Sequence, residues 1–181
     1  MQWQLLDSKT RYGSVSRLLH WSMALIMAWQ FATAGAHWLL EDTAIEKFLW
    51  GTHKTVGLLL IVLVLVRAAW SLLNRGHRPH HLSVMARLGH LALYALMVFV
   101  PLIALLRQYG SGRAFEPLGL PLMPGTGQKV EWMMTPANLL HGWLGWLLLV
   151  LIIGHIVMVF VHRSRPEDED VLARMLGNRQ R

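Results

Sequence analysis

Four histidines carry the chemistry of this sequence. His141 and His155 stand fourteen residues apart in one apolar stretch, while His20 and His53 stand in two others. At 3.6 residues per turn that interval is close to four turns, so His141 and His155 share roughly one helix face. The rise between them is about 21 Å, most of a hydrocarbon core of about 30 Å. Imidazole is the commonest metal-ligating side chain, and a histidine inside a membrane span is costly without a partner or a ligand. Two metal centres stacked at different depths need this spacing. Two separately satisfied histidines also produce it.

Partners for such centres must come from other helices at matching depth. His20 lies near the start of the first stretch, at the level of His155. His53 lies at the start of the second, at the level of His141. Pairing His20 with His155 and His53 with His141 gives each of two haem irons two axial imidazoles. Double axial ligation leaves no open position and suits electron transfer better than oxygen activation.

Around these residues the sequence is less specific. Gly57 and Gly145 each follow a candidate ligand by four residues, hence on its helix face, and a missing side chain there leaves room for a flat macrocycle. Close helix packing explains the same glycines. Arg17, Lys54 and Arg67 lie near the candidate haem levels, where each can neutralise a propionate or simply set orientation. His90 can bond a haem propionate or a quinone carbonyl, or sit at a helix end among headgroups. His77, His80, His81 and His162 read as solvated, and His37 beside Trp38 as interfacial. The chain has no cysteine. That removes iron–sulfur clusters, thiolate zinc, disulfides and covalently attached c-type haem.

The elements that must position these histidines follow from composition. Of 181 residues, 54% are hydrophobic and 15% charged, with a mean hydropathy of +0.39. Soluble domains carry roughly a quarter charged residues. Four apolar runs, about 16–40, 52–73, 88–106 and 139–161, each approach the ~20 residues of a membrane helix. The expectation is an all-α fold, an integral membrane four-helix bundle forming one domain over 1–181. The first run imitates a signal peptide, with Lys9, Arg11 and Arg17 ahead of it and Ala34-Gly35-Ala36 at its end. Its length, with His20 and Gln30 inside it, favours a span.

Charge then sets orientation. Placing both termini and the second connection on one side puts twelve of the 17 Lys and Arg there, and five (Lys47, Lys54, Arg107, Arg113, Lys129) on the other. The positive-inside rule makes the richer side, with both termini, cytoplasmic. The net charge of +7 therefore flanks spans rather than forming a basic face with interleaved aromatics, and nucleic acid is excluded as a partner. Trp21, Trp38, Trp50, Trp70, Trp132 and Trp143 fall near boundaries, as an aromatic belt requires. The first connection, around 41–51, is short and acidic. The second, around 74–86, is basic and histidine-rich. The third, about 108–138, is long and rich in Pro and Gly, with Val130–Met134 expected as a short interfacial segment. Pro166–Asp170 reads as the start of a short amphipathic helix, about 167–176, with Pro in the first turn and acids at the positive dipole end.

In combination the motifs resemble the bacterial cytochrome b561 family. They are Arg11-Tyr12-Gly13, Leu19-His20-Trp21, His53-Lys54-Thr55-Val56-Gly57, Gly89-His90-Leu91-Ala92-Leu93-Tyr94, His141-Gly142-Trp143-Leu144, Gly154-His155, and the tail Asp170-Val171-Leu172-Ala173-Arg174-Met175. The resemblance implies a four-helix inner-membrane cytochrome with two haem b groups per chain, and His20, His53, His141 and His155 as axial ligands to their irons. It implies exchange of electrons with the quinone pool, and in some relatives oxidation of superoxide. On the outer side five Lys and Arg meet five acids (Glu41, Asp42, Glu46, Glu116, Glu131), so counting shows no strong pull on an anion unless Lys54, Lys129 and Arg113 gather around the outer haem. Two other functions compete. One is a haem-b membrane anchor for a larger dehydrogenase. The other is a metal-ion transporter, which requires acids within the spans, and the sequence has none there.

Overall fold

The computed structural model describes residues 4–80, 83–165 and 170–176. All regular structure among them is helical, apart from one isolated antiparallel bridge, Phe115 to Met123. Four long helices, α1 (Ser14–Leu39), α2 (Ala44–Leu73), α3 (Val84–Gly110) and α4 (Glu131–Ser164), are followed by the short α5 (Val171–Leu176). By length and composition α2, α3 and α4 can cross a membrane. α1 is comparably long at 26 residues, but Arg17, His20, Gln30 and His37 lower its hydropathy, and the charge-free apolar core typical of a span is shorter.

Every helix starts before its apolar run, and α3 and α4 also outlast theirs; at the starts of α2 and α3 the reason is capping. Thr43 accepts the backbone N–H of Glu46 at 3.1 Å, a Thr-x-x-Glu start that draws the acidic stretch into α2. The first connection is thus only a few residues. Ser83 caps α3 in the same way through Ala86 N–H. The segment expected to lie separately at Val130–Met134 is instead the first turn of α4, which continues through Pro136. Pro136, the sixth residue of α4, removes one backbone bond of the ladder without ending the helix.

The third connection is folded rather than loose. Val130 N–H bonds Gly110 O at 2.8 Å and Gly127 N–H bonds Gly112 O at 3.0 Å, pinning the loop at its base. Gly112 has φ +67°, and a Cβ there would lie 2.3 Å from Gln128 O. Only glycine fits that crossing.

At the opposite end the chain is tied together by polar contacts. Buried Asp7 accepts from Gly13 N–H at 2.8 Å, Ser16 Oγ at 2.9 Å and Arg78 Nε at 2.9 Å. α5 begins at Asp170, whose carboxylate accepts from Leu172 and Ala173 N–H. The helix start expected at Pro166–Glu169 lies outside the described residues, as does His81. α5 docks on α1 through Arg17 Nη1 to Leu176 O at 2.9 Å and Trp21 Nε1 to Met175 O at 3.3 Å, and reaches the α2–α3 connection through Arg174 Nη1 to His80 O at 3.1 Å. The N-terminal segment, α5 and the second connection therefore share one end of the bundle.

α1 packs along α2, α2 on α3 and α3 on α4, while α1 and α4 make no extended contact among the described residues. Midway along the bundle Met23, Met27, Leu60, Val64, Leu93, Met97 and Leu148 form the buried core. Leu148 stands seven residues from both His141 and His155, so the core lies between the two histidine levels.

Candidate functional site

α1, α2 and α4 bring the four histidines together in twos. The rings of His20 and His155 face each other at 6.5 Å between centroids, with planes at 71°. Those of His53 and His141 do so at 6.2 Å and 78°. Each pair bridges helices that leave space between them, and all four side chains are half-buried. A metal–nitrogen bond of about 2 Å on each side, plus the half-width of each ring, places two coaxial ligating imidazoles roughly 6 Å apart. Both pairs fit that span.

The level of His20 and His155, inner in the orientation expected from charge, holds a third ring. His90 of α3 lies 5.3 Å from His155, nearer than His20 does. That separation is too short for two imidazoles on opposite sides of one metal, so distance favours His20 as the partner of His155. Arg67 lies within electrostatic reach of both His20 and His155, and its guanidinium carbon sits 5.5 Å above the Tyr94 ring. Its buried Nε meets no hydrogen-bond acceptor among the described residues, and neither does the buried Nδ1 of His20. Arg17 Nε is likewise buried without an acceptor among the described residues, but its Nη1 and Nη2 bond Leu176 O and Ser14 Oγ.

At the level of His53 and His141, outer in the orientation expected from charge, every ring is braced. His141 Nδ1 lies 3.2 Å from Val100 O. His53 Nδ1 lies 2.7 Å from Thr33 Oγ1, which itself donates to Gln30 O at 2.7 Å. Gln30 Nε2 donates to His53 O at 3.2 Å. Trp50 tilts onto His53 at 4.6 Å and stacks on His37 at 3.9 Å, and His37 Nδ1 meets the buried Glu46 carboxylate at 2.8 Å. The two glycines differ. Gly145 faces open space, whereas a Cβ on Gly57 would lie 3.3 Å from Gln30 Nε2. The room expected beside Gly57 is taken by that amide.

Above the outer pair lies a cleft of about 400 Å³ lined by Arg107, Ser111, Arg113, Lys129, Met134 and Asn138. Arg107 is within electrostatic reach of His141 and bonds Asn138 Oδ1 at 2.6 Å. Lys54 donates to Gln108 Oε1 at 2.9 Å and feels Arg113 and Arg107. Three cations line the cleft with no carboxylate among its walls, so equal totals of charge concealed an uneven distribution. Glu46 is tied to His37 instead.

These residues fit two haem groups. Each level offers two opposed imidazoles, α1 and α4 stand apart, and Arg67 is a buried cation that a carboxylate would complete. Nowhere among the described residues do three or more His, Asp or Glu side chains converge on a bare ion. Two protein ligands per centre suit an iron whose remaining ligands come from a macrocycle. Thr33, Gln30 and Glu46 are the functional neighbours that sequence reasoning missed. A Thr-x-x-Glu capping signal announced Glu46, but nothing local shows that Thr33 meets His53 on another helix.

The sequence profile of the family described as Prokaryotic cytochrome b561 matches residues 11–178. Over 179 residues, 94% of this chain and 94% of the relative, the sequence is 30% identical to Cytochrome b561 homolog 2 of Escherichia coli (strain K12).

Proposed function

We propose, from the premise that this chain belongs to the prokaryotic cytochrome b561 family, that it carries electrons across the bacterial inner membrane with two haem b groups. Membership makes it a membrane protein of a haem b electron-transfer family. Beyond that, His20 with His155 and His53 with His141 are the axial ligands, α1 is the fourth span, and both termini are cytoplasmic. The observation that carries this reading is the pair of facing imidazole couples, at 6.5 and 6.2 Å, separated along the bundle by a buried apolar core. When bound, haem b would supply a one-electron redox couple at each level, held by these histidines.

The chain's own residues do the rest. The Met- and Leu-rich core excludes water between the levels. Val100 O and Thr33 hold the outer rings. Arg67 holds a positive charge for a propionate at the inner level, and the basic residue on the outer face closest in kind is Lys54, already bonded to Gln108. The cleft of Arg107, Arg113 and Lys129 gathers an anionic one-electron donor beside the outer pair; superoxide, which the resemblance implies for some relatives, is a donor of that kind. Quinone is the second exchange partner, and His90 beside His155 is its candidate contact. Lipid surrounds the exposed apolar faces of α2, α3 and α4.

Purified protein is expected to carry two haem b per chain by pyridine haemochrome assay. His141→Ala and His155→Ala each remove one. Retention of both haems after either change defeats the assignment. A haem-b anchor for a dehydrogenase remains a second reading because the outer loop exposes Leu118, Leu120 and Leu122, an apolar surface that a partner subunit could cover. Co-purification of a soluble dehydrogenase subunit in stable stoichiometric complex supports that reading.

A further inference from the structure

We propose that Thr33 is a positioning residue for the outer centre, its hydroxyl accepting the Nδ1–H of His53 and so keeping Nε2 as the ligating nitrogen. The inference rests on the reading of His53 as an axial ligand. Thr33 is wholly buried, in α1, and its Oγ1 lies 2.7 Å from both Gln30 O and His53 Nδ1. A hydroxyl has one hydrogen, and a carbonyl can only accept. With that hydrogen on Gln30 O, the hydroxyl oxygen faces the ring as an acceptor and Nδ1 carries the proton. The opposite tautomer would put a hydrogen on Nε2, where the near polar neighbour is the Gln30 amide nitrogen at 3.1 Å, itself a donor.

Gln30 does not orient the ring in the same way. Its Nε2 is almost equidistant from the two ring nitrogens, 3.2 and 3.1 Å. The in-plane lone-pair directions of those nitrogens diverge, so one atom cannot lie along both. Thr33 thus gives His53 what the Val100 carbonyl gives His141, for which a neighbour that only accepts also requires Nδ1–H. Both outer rings then turn the same kind of nitrogen toward the space between them. An acceptor on Nδ1–H raises the basicity of the ligating nitrogen and fixes ring orientation, which lowers the reduction potential of the iron it holds.

The test is equilibrium redox titration of the holoprotein, followed by visible and low-temperature EPR spectra. His53→Ala identifies the outer centre as the one it removes. Thr33→Val, which keeps shape but removes the hydroxyl, shifts that centre's midpoint upward, a several-fold change in its reduction equilibrium, and alters its EPR g-values. The other centre stays unchanged. Thr33→Ser restores wild-type values. Thr33→Ala is a second deletion of the hydroxyl that avoids crowding by valine. Two haems with both midpoints unchanged in the Val or Ala variant overturn the proposal, as does an equal shift at both centres or a Ser variant that behaves like Val. Those outcomes leave the ligand assignment standing. Retention of both haems by His53→Ala is the different failure, that of the ligand assignment itself.

Discussion

The outer and inner histidine pairs have nearly the same ring separation and angle, yet they are built differently. Outside, His53 and His141 each have a hydrogen-bond partner on Nδ1, and a stack of Trp50 and His37 on buried Glu46 closes the helix end. Inside, the buried Nδ1 of His20 has no partner among the described residues, a third imidazole crowds His155, and Arg67 brings a buried positive charge. Hydrogen bonds to ligating rings favour the oxidised iron, and a nearby cation favours the reduced one. On the proposed ligand assignment the two ends are therefore expected to differ in redox poise, with the outer centre lower. On that assignment electrons are expected to run from the outer face, beneath its basic cleft, toward the inner one.

Removing inner ligands breaks the comparison most completely. His20→Ala is expected to eliminate one haem per chain, while His90→Ala keeps both, because only the 6.5 Å couple has the span for coaxial ligation. Haem-to-protein ratios of the two variants, measured side by side, decide it. If His90→Ala loses a haem and His20→Ala does not, the inner centre is held by α3 and α4.

The next effect concerns the outer end alone. Reversing charge at the cleft, Arg113→Glu with Lys129→Glu, should slow stopped-flow reduction by superoxide by at least about tenfold at low salt, since focused charge changes encounter rates by roughly 10 to 10³. A neutral reductant should be unaffected, and added salt should narrow the difference as screening shortens the range of the field to about 10 Å at 0.1 M. Equal slowing for both reductants would mean that the cleft is not an entry site for anions.

Arg67→Gln probes the inner end in the same terms, with a smaller expected effect. A unit charge on the order of 10 Å away is worth about 1–2 kcal/mol at an effective dielectric of 20. The inner midpoint should fall by the equivalent of about tenfold in its equilibrium constant and the outer one should hold. A redox titration in which the gap between the two midpoints stays constant would remove Arg67 from the account of the asymmetry.

How much of this was legible in the sequence depends on range. The interval between His141 and His155 is local, so helix periodicity alone placed both on one face, and depth matching then selected His20 and His53. The structure brings the same rings to 6.5 and 6.2 Å of each other. Composition predicted the all-helical fold, yet by length and composition α2, α3 and α4 are apolar enough to cross a membrane, while the polar residues of α1 lower its hydropathy. Capping misplaced the boundaries: Thr43 and Ser83 start α2 and α3 outside the apolar runs, and Pro136 proved compatible with α4. The bracing of the outer rings was not legible. Thr33 and His53 lie twenty residues apart on antiparallel helices, and which side chains meet there is fixed by the rotation of α1 against α2, which no local pattern records. Likewise, the cleft depends on how the third loop folds back, so totals of acids and bases could not show it.

The smallest expected effect separates two walls of the outer site. Replacing a helical glycine by alanine ordinarily stabilises by about 0.5–1 kcal/mol. At Gly145 a Cβ meets nothing within 4 Å, and at Gly57 it meets Gln30 Nε2 at 3.3 Å. In haem-free protein Gly145→Ala should therefore show the full gain in thermal denaturation, and Gly57→Ala less of it, since the Gln30 amide has to yield by a few tenths of an ångström. With haem bound the order reverses if the open space at Gly145 is where the macrocycle lies: Gly145→Ala then speeds haem transfer to an apo-globin acceptor, while Gly57→Ala, screened by Gln30, leaves it near the wild-type rate. An unchanged rate in Gly145→Ala would place the macrocycle away from that face of α4 and leave close helix approach as the reason for the glycine.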